Sequence, residues 1–270
     1  MTVGAGALDM NALVGTRDIL FLVLDALRYD AAQSCLTEGR TPTLAALLPG
    51  GVWERRQSPG NFTYPAHQAF FAGFLPTPEG RGPHPRLFAV RFPGSESTAS
   101  TTCVLDTPDL VQGLAARGYH TVCIGGVGFF NLASPLGCAL PGLFAERHWS
   151  PELGVTDPRS TEHQVALAAS ILDARPKDER AFLFLNVSAI HQPNRFYGDG
   201  AEEDSLATHA AALAYVDSAL PPLFHALRQR GPALCIVTSD HGTAYGEDGQ
   251  WGHRLNHPVV HTVPYAEFVL

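Results

Sequence analysis

Short and nearly continuous apolar runs recur along the chain, and a polar residue follows most of them directly. The runs that begin at Asp18, Ala181 and Ala233 hold mainly Leu, Ile, Val, Phe and Ala, with no regular alternation of polar positions. Apolar runs of this length without alternation are typical of strands that are buried on both faces. The pattern therefore predicts parallel strands inside a covered sheet.

Between these runs, apolar residues recur at helical spacing. Residues 161–174 form one such segment, and residues 205–228 form a longer one in which Pro221-Pro222 predicts a kink or a restart. Shorter helices are expected over 41–48 and 108–117, and strands over 51–56 and 121–124. Strands that alternate with helices favour a largely parallel sheet with helices on both faces. We therefore predict an α/β fold, a three-layer αβα sandwich with a mostly parallel central sheet.

The length and composition fit one globular domain spanning residues 1–270. The chain is 45% hydrophobic and 16% charged, which is ordinary for a globular protein, and 270 residues can bury an ample core. Two segments, 76–101 and 125–160, are rich in Gly and Pro and are too long for plain connections. We expect them to be loops beside the active site.

Charge and cysteine usage narrow the partners and the compartment. A net charge of −8 argues against nucleic-acid binding, which needs a basic surface. No apolar run reaches about 18 residues, so no membrane span is predicted, and no signal peptide is evident at the start of the chain. The five cysteines show no paired spacing, which favours reduced thiols and a cytoplasmic location. The oligomeric state stays open.

Acidic and histidine side chains follow two of the apolar runs. Asp25 ends the first run, and Asp240 and His241 end the last, with His253 following across a glycine-rich turn. In open α/β sheets, sites form at the carboxyl ends of the strands. Oxygen and nitrogen ligands suit a hard or borderline divalent metal. The sequence thus predicts a metal site at this edge of the sheet.

Thr63 is the candidate nucleophile. Pro65 suits the first turn of a helix and Gly73 suits its end, so Thr63 is expected at a helix N-terminus, where the helix dipole favours an anion. A threonine hydroxyl is a poor nucleophile unless a base or a metal activates it. The alternative is that Thr63 is only a helix cap.

Three segments carry a resemblance to a known superfamily. Thr63-Tyr-Pro-Ala-His67 resembles the Thr-Phe-Pro-Asn-His nucleophile motif of nucleotide pyrophosphatase/phosphodiesterases. Asp25, Arg28 and Asp30 resemble the Asp-x-x-Arg-x-Asp metal motif of sulfatases. Residues 239–242, followed at the same spacing by His253, resemble the second metal motif of phosphoethanolamine transferases. The chain is identified as a member of the alkaline phosphatase superfamily, in its sulfatase-like branch, and the expected fold is alkaline phosphatase-like.

The departures from these motifs limit the chemistry that the resemblance implies. Thr63 stands where sulfatases carry the Cys or Ser that is converted to formylglycine, and the arginine of that motif is absent, so we do not expect sulfatase chemistry of that type. Ala26 replaces a second acid of sulfatases, and Val187 replaces the aspartate that binds a second zinc in the phosphodiesterases. His191 is kept, in a His-x-Pro segment like that of the transferases.

The resemblance implies the following site. A divalent metal, Zn²⁺ or Mn²⁺, binds Asp25, Thr63, Asp240 and His241, and Thr63 attacks phosphorus. His191 and His253 bind a second metal, contact the phosphoryl group, or protonate the leaving group, and these roles stay open.

We therefore expect a metal-dependent phosphoester or phosphodiester hydrolase, or a related phosphoryl-type transferase, that acts on a small-molecule phosphate ester. The alternatives are a metal-dependent phosphosugar mutase and a noncatalytic, metal-bound binding protein. The substrate, the identity and number of the metals, and the choice between hydrolase and transferase are not determined by the sequence.

Overall fold

A predominantly parallel sheet forms the centre of the protein. The structure, a computed structural model, describes residues 8–73, 87–88, 93, 103–104 and 109–270. Its strands are β1 (Asp18–Leu24), β2 (Glu54–Gln57), β3 (Leu87–Phe88), β4 (Cys103–Val104), β5 (His120–Ile124), β6 (Glu146–His148), β7 (Ala181–Val187), β8 (Ala233–Thr238), β9 (Ala244–Tyr245), β10 (Trp251–Gly252) and β11 (Thr262–Val269). Seven of the described strands form one sheet, in the order β2-β11-β8-β1-β7-β5-β6. The strands from β8 to β6 in that order are parallel, whereas β11 pairs antiparallel with β8 and β2.

Helices cover both faces of this sheet. The described helices are α1 (Met10–Leu13), α2 (Tyr29–Thr37), α3 (Pro42–Ala45), α4 (Thr63–Ala72), α5 (Leu110–Ala116), α6 (Pro135–Ala139), α7 (Ser160–Ala174), α8 (Leu206–Ala219), α9 (Pro221–Arg230) and α10 (Pro258–His261). One core cluster contains residues of α2, α3, α7, α8 and α9, and the other contains residues of α4, α5 and α6. The predicted α/β class with a mostly parallel covered sheet is confirmed.

β1 shows why its sequence lacks alternation. Leu20, Leu22 and Leu24 belong to one core cluster, and the residues between them belong to the other. All seven residues of the strand are buried. Because both faces of this central strand are covered by helices, both sets of side chains must be apolar.

Several elements differ from the sequence prediction in extent. The helix expected over 41–48 covers only α3, and the strand expected over 51–56 begins at Glu54. The long helix restarts at Pro221, so the double proline separates α8 from α9. Segment 125–160 is more than a loop, because it contributes the edge strand β6 to the sheet. Segment 76–101 lies outside the described residues, apart from 87–88 and 93. No helix among the described residues is long and apolar enough to cross a bilayer.

The register of the parallel strands brings three distant segments to one edge. Val23 of β1 lies beside Asn186 of β7 on one side and beside Thr238 of β8 on the other. The residues that follow these strands therefore emerge together at the carboxyl edge of the sheet. Asp25 and Asp240 are among them.

Candidate metal centre

Three buried side chains converge at this edge. Asp25, Asp240 and His241 place their ligand atoms within 4.8 Å of one another, and all three residues are fully buried. His241 Nε2 lies 3.7 Å from Asp25 Oδ1 and 3.5 Å from Asp240 Oδ2. The sequence prediction that these residues meet is matched by the geometry.

Each carboxylate has one oxygen held by hydrogen bonds and one oxygen without a partner. Asp25 Oδ2 accepts from Asn186 Nδ2 at 2.9 Å. Asp240 Oδ1 accepts from the backbone N–H groups of Ala26 (3.1 Å) and His241 (3.0 Å). Asp25 Oδ1 and Asp240 Oδ2 are buried without a hydrogen-bond partner, and these are the atoms that face His241. Since an unpaired buried acceptor is costly, these two oxygens fit a bound cation.

A backbone contact fixes the tautomer of His241. Its Nδ1 lies 2.8 Å from the carbonyl oxygen of Gly242. A carbonyl can only accept, so Nδ1 carries the proton, and the lone pair of Nε2 is left for a cation held between His241 and the two carboxylates. This second hydrogen bond is the one that commonly fixes the tautomer of a ligating histidine.

Burial shifts the pKa values of Asp25, Asp240 and His241 in the directions that favour their neutral forms. Desolvation is the largest cause that raises the pKa of Asp25 and of Asp240 to about 6, and the charge of Asp240 adds to the shift of Asp25. Burial also lowers the pKa of His241 to about 4. A divalent cation would remove the carboxylate repulsion. Two oxygen ligands and one nitrogen ligand suit Zn²⁺ and Mn²⁺ without distinguishing them.

Thr63 reaches the same centre from a different element. It is the first residue of α4, follows the N-cap residue Phe62 and is almost fully buried. Its Oγ1 lies 3.4 Å from His241 Nε2. The N-cap residue of α4 is Phe62 rather than Thr63, so the hydroxyl of Thr63 does not serve as the helix cap.

His191 and His253 lie beside these residues as a pair. The ring centroids of His241 and His253 are 4.7 Å apart, and those of His191 and His253 are 5.2 Å apart. Among the described His, Cys, Asp and Glu residues, however, the tight ligand group comprises only Asp25, Asp240 and His241. Burial, with the neighbouring histidines, lowers the pKa of His253 to about 3, so its ring is neutral.

His67 has a packing role in this arrangement. Its Nδ1 donates to the carbonyl of Thr63 at 2.7 Å, and burial lowers its pKa to about 3. Its ring lies edge-on against Phe70, Phe130 and Phe184. His67 therefore fixes the backbone of the first turn of α4 and packs within aromatic side chains.

The acid at the end of the sulfatase-like motif does not reach the centre. Asp30 instead accepts from Arg28 Nε at 2.8 Å, and Arg28 is buried and also pairs with Glu247. Through these contacts Arg28 connects the end of β1 to the turn between β9 and β10. Of the three motif residues, only Asp25 faces the centre. Arg28 and Asp30 instead belong to an ion-pair network that includes Glu247.

Asn186 is a site residue that the sequence reasoning missed. It donates to Asp25 and its Oδ1 accepts from the backbone N–H of Val127 at 3.1 Å. A signal was present, because Asn186 is the one polar residue in the apolar run Ala181–Val187. A buried amide needs partners on both sides, and a carboxylate at the neighbouring strand end is one of them.

Comparison with known proteins agrees with this geometry. The family model described as Sulfatase matches residues 17–265. The chain belongs to the sulfatase family. The resemblance to the sulfatase-like branch of the alkaline phosphatase superfamily, predicted from the sequence motifs, is therefore confirmed. No curated protein matches its sequence.

Solved structures share the fold at low sequence identity. The C-terminal periplasmic domain of the phosphoethanolamine transferase EptC from Campylobacter jejuni has a TM-score of 0.60 and 14% identity, covering 94% of this chain and 80% of that one. The corresponding EcEptC domain of Escherichia coli, in complex with Zn, has a TM-score of 0.63 and 13% identity. The match covers 93% of this chain and 72% of that one. A protein in the alkaline phosphatase superfamily from Vibrio parahaemolyticus has a TM-score of 0.57 and 15% identity. The match covers 93% of this chain and 60% of that one.

These neighbours correct the expected cytoplasmic location, which is wrong. The C. jejuni and E. coli domains are periplasmic, which points away from the cytoplasm. The cysteine pattern misled the prediction for a physical reason. Cys35, Cys123 and Cys235 are buried in the cores and pack as small apolar side chains, so the absence of paired spacing carries no information about the compartment.

Proposed function

We propose that this sulfatase-family protein is a metal-dependent enzyme that hydrolyses or transfers phosphate esters, with Thr63 as the nucleophile. The observation that carries the proposal is the position of Thr63 Oγ1, 3.4 Å from His241 Nε2 and beside two carboxylate oxygens that have no partner. Such a hydroxyl at the start of a helix faces both a cation site and an anion-binding helix end.

The proposed metal ligands are Asp25, Thr63, Asp240 and His241. A bound Zn²⁺ or Mn²⁺ would favour the deprotonated hydroxyl and neutralise charge on the phosphoryl oxygens. The Zn complex of the E. coli neighbour supports a divalent metal. A second metal at His191 and His253 has less support, because no carboxylate of the described residues joins these two histidines in a tight ligand group.

The chain's own residues account for the remaining steps. Thr63 Oγ1 releases its proton to water, the bond from Oγ1 to phosphorus forms, and the ester bond to the leaving group breaks as the leaving oxygen takes up a proton from water. The N-terminal end of α4 favours the negative charge of the phosphoryl group. His191 and His253 lie beside His241, where their rings can donate hydrogen bonds to this group. Water or an acceptor hydroxyl then releases the phosphoryl group from Thr63.

The names of the neighbours extend the proposal. Phosphoethanolamine transferases support the transferase alternative, and their periplasmic location supports a location outside the cytoplasm for this protein.

We also propose that residues 1–270 form a single domain, with segments 76–101 and 125–160 beside the active site. The contact of Thr63 Oγ1 with His241 favours an enzyme over a noncatalytic binding protein, because it places a potential nucleophile beside the three candidate ligands.

Two variants of Thr63 test this function. Wild type, Thr63→Ala and Thr63→Ser are compared on phosphomonoesters, phosphodiesters and sulfate esters with added Zn²⁺ or Mn²⁺. We expect faster turnover of a phosphate ester than of sulfate esters, its loss in Thr63→Ala, and partial activity in Thr63→Ser. Mass spectrometry after acid quenching should find a phosphoryl group on the peptide that contains Thr63.

A matched control separates chemistry from folding. Thr37→Ala removes an exposed threonine hydroxyl at the end of α2 and should leave turnover unchanged. If Thr63→Ala retains near-wild-type turnover, Thr63 is not the nucleophile. If sulfate esters react faster than phosphate esters, the proposed reaction class is wrong.

A further inference from the structure

Arg254 has a backbone conformation that is unfavourable for an arginine. Its φ of 69° lies in the left-handed region, where glycine is the preferred residue. The backbone N–H of Arg254 donates to the carbonyl of Asn61 at 2.8 Å, and this bond ties the residue to the segment before α4. Residues held in such conformations cost about 1–3 kcal/mol, and they cluster at functional sites.

The side chain of Arg254 lies against the residue that precedes Thr63. Its guanidinium carbon is 5.0 Å from the ring centroid of Phe62, and the residue is exposed. An exposed contact of this kind contributes only about 0.5–1 kcal/mol. Stacking on Phe62 therefore does not outweigh the backbone cost, and a glycine at this position would be the cheaper residue for stability alone.

Arg254 is also a cation without a carboxylate partner among the described residues. In contrast to Arg28 and Arg56, which are paired with acids, the guanidinium of Arg254 is available to an anionic ligand. Arg254 directly follows His253, whose ring centroid lies 4.7 Å from that of His241. Its positive charge therefore lies on the solvent side of the candidate metal centre.

Aromatic side chains complete the surroundings of this cation. The ring of Phe62 lies 6.0 Å from that of Phe129, which in turn lies 5.5 Å from the ring of Tyr64. Phe62 and Tyr64 flank Thr63 in the chain. The nucleophile is therefore bordered by an apolar surface that carries one guanidinium group at its edge.

We propose that Arg254 and Phe62 form a leaving-group subsite for substrates that carry a second negative charge, a carboxylate or a phosphate, beside the reacting phosphoryl group. This inference rests on the proposed function and specifies its substrate class. A guanidinium binds carboxylate and phosphate through paired N–H donors, and it repels an ammonium group. The preferred substrates are thus esters with an anionic leaving group rather than an aminoethyl one.

The test compares esters with a common two-carbon skeleton and different end groups. Phosphoglycolate ends in a carboxylate, phosphoethanolamine in an ammonium group, and hydroxyethyl phosphate in a neutral hydroxyl. We expect the metal-loaded wild type to have a higher kcat/KM for phosphoglycolate than for phosphoethanolamine. In Arg254→Gln this ratio should fall by roughly tenfold or more, as for the loss of a charge-assisted hydrogen bond.

Arg56→Gln is the matched control. Arg56 is also an exposed arginine over an aromatic ring, 4.8 Å from the centroid of Tyr265, but it is paired with Glu54 on the edge strand β2. Its replacement should leave the ratio unchanged. An equal loss of activity on all three esters in Arg254→Gln would mean that Arg254 acts on the transferred phosphoryl group, and the leaving-group subsite would be refuted.

A binding measurement tests the subsite even if the proposed catalytic function is wrong. Calorimetry on the metal-loaded protein compares phosphonopropionate with aminopropylphosphonate, which keep the two end groups but have no ester bond. The carboxylate analogue should bind more tightly in the wild type and lose this advantage in Arg254→Gln, whether or not any ester is turned over. Equal affinities of the two analogues for the wild type would overturn the inference.

A stability measurement excludes a purely structural role. Arg254→Gly removes the guanidinium and relieves the backbone conformation, so its Tm should equal or exceed that of the wild type while the preference for anionic esters disappears. A lower Tm together with an unchanged preference would show that Arg254 serves packing only.

Discussion

Asn186 illustrates how one side chain decides the orientation of the candidate metal centre. Its amide nitrogen donates to Asp25 and its amide oxygen accepts from the backbone of Val127. A carboxylate can only accept and an N–H can only donate, so the amide cannot be flipped without losing both bonds. Asp25 Oδ1 is thereby left free to face His241.

We predict that Asn186→Ala weakens metal binding without abolishing it. The direct ligands remain, but Asp25 loses the bond that holds its carboxylate, and the loss of such supporting contacts typically lowers metal affinity about 10–100-fold. Titration calorimetry with Zn²⁺ measures the change. Asn131→Ala, which removes an amide bonded to the backbone of Ala133 away from the centre, is the control. Equal affinities for the wild type and Asn186→Ala would contradict the positioning role.

At the scale of elements, the distance between β5 and β7 depends on a glycine. A Cβ atom on Gly126, which follows β5, would lie 2.4 Å from the carbonyl oxygen of Asn186 and 2.8 Å from Cβ of Ser188. Both contacts are with the end of β7. The carboxyl ends of the two strands can therefore approach closely only because residue 126 has no side chain.

We predict that Gly126→Ala is strongly destabilising. The new Cβ must separate β5 from β7, at a cost of about 1–3 kcal/mol for overpacking, and it displaces Asn186. Urea denaturation measures the loss, and Zn²⁺ affinity should fall with it. Gly128→Ala, two residues further on, is the control, because nothing lies within 4 Å of its Cβ position. We expect a change of at most about 0.5 kcal/mol there. Similar losses in both variants would contradict the role of close strand approach.

At the scale of the whole molecule, the candidate centre joins β1, α4 and β8. Its buried carboxylates lower the free energy of unfolding of the metal-free protein when they are charged. The pKa values of Asp25 and Asp240, about 6 in the folded protein and 3.8 as ordinary values, mean that the folded state binds more protons between these limits. Their contribution to stability therefore falls as the pH rises from about 4 to about 6. The lowered pKa of His241 acts in the opposite direction, because the unfolded state binds its proton first.

We predict that Asp240→Asn stabilises the metal-free protein at neutral pH. The variant removes one buried charge, keeps an acceptor for the N–H groups of Ala26 and His241, and leaves the histidines unchanged. In chelator at about pH 7.5, it should exceed the wild type by up to about 3 kcal/mol, and the difference should shrink towards about pH 4. Urea denaturation at both pH values measures it, with Asp178→Asn as an exposed control. A difference that does not change with pH would refute the buried-charge argument.

The sequence by itself determined the central strands and three of the residues that meet at their carboxyl edge. The runs of β1, β7 and β8 lack polar alternation because both faces are buried, and hydrophobic burial acts on each residue locally. Since parallel strands end at a common edge, Asp25, Asp240 and His241 could be expected to meet there. The fold class and the restart at Pro221 follow from the same local rules.

Only the tertiary structure decided which partners these residues take. Asn186 and Arg254 lie far in sequence from Asp25 and Phe62, and strand register and loop packing bring them together. The pairing of Arg28 with Asp30 and Glu247 likewise depends on where the turn after β9 folds back. Spacing along the chain specifies a residue's own element and face, whereas contacts across more than a hundred residues depend on how the elements pack.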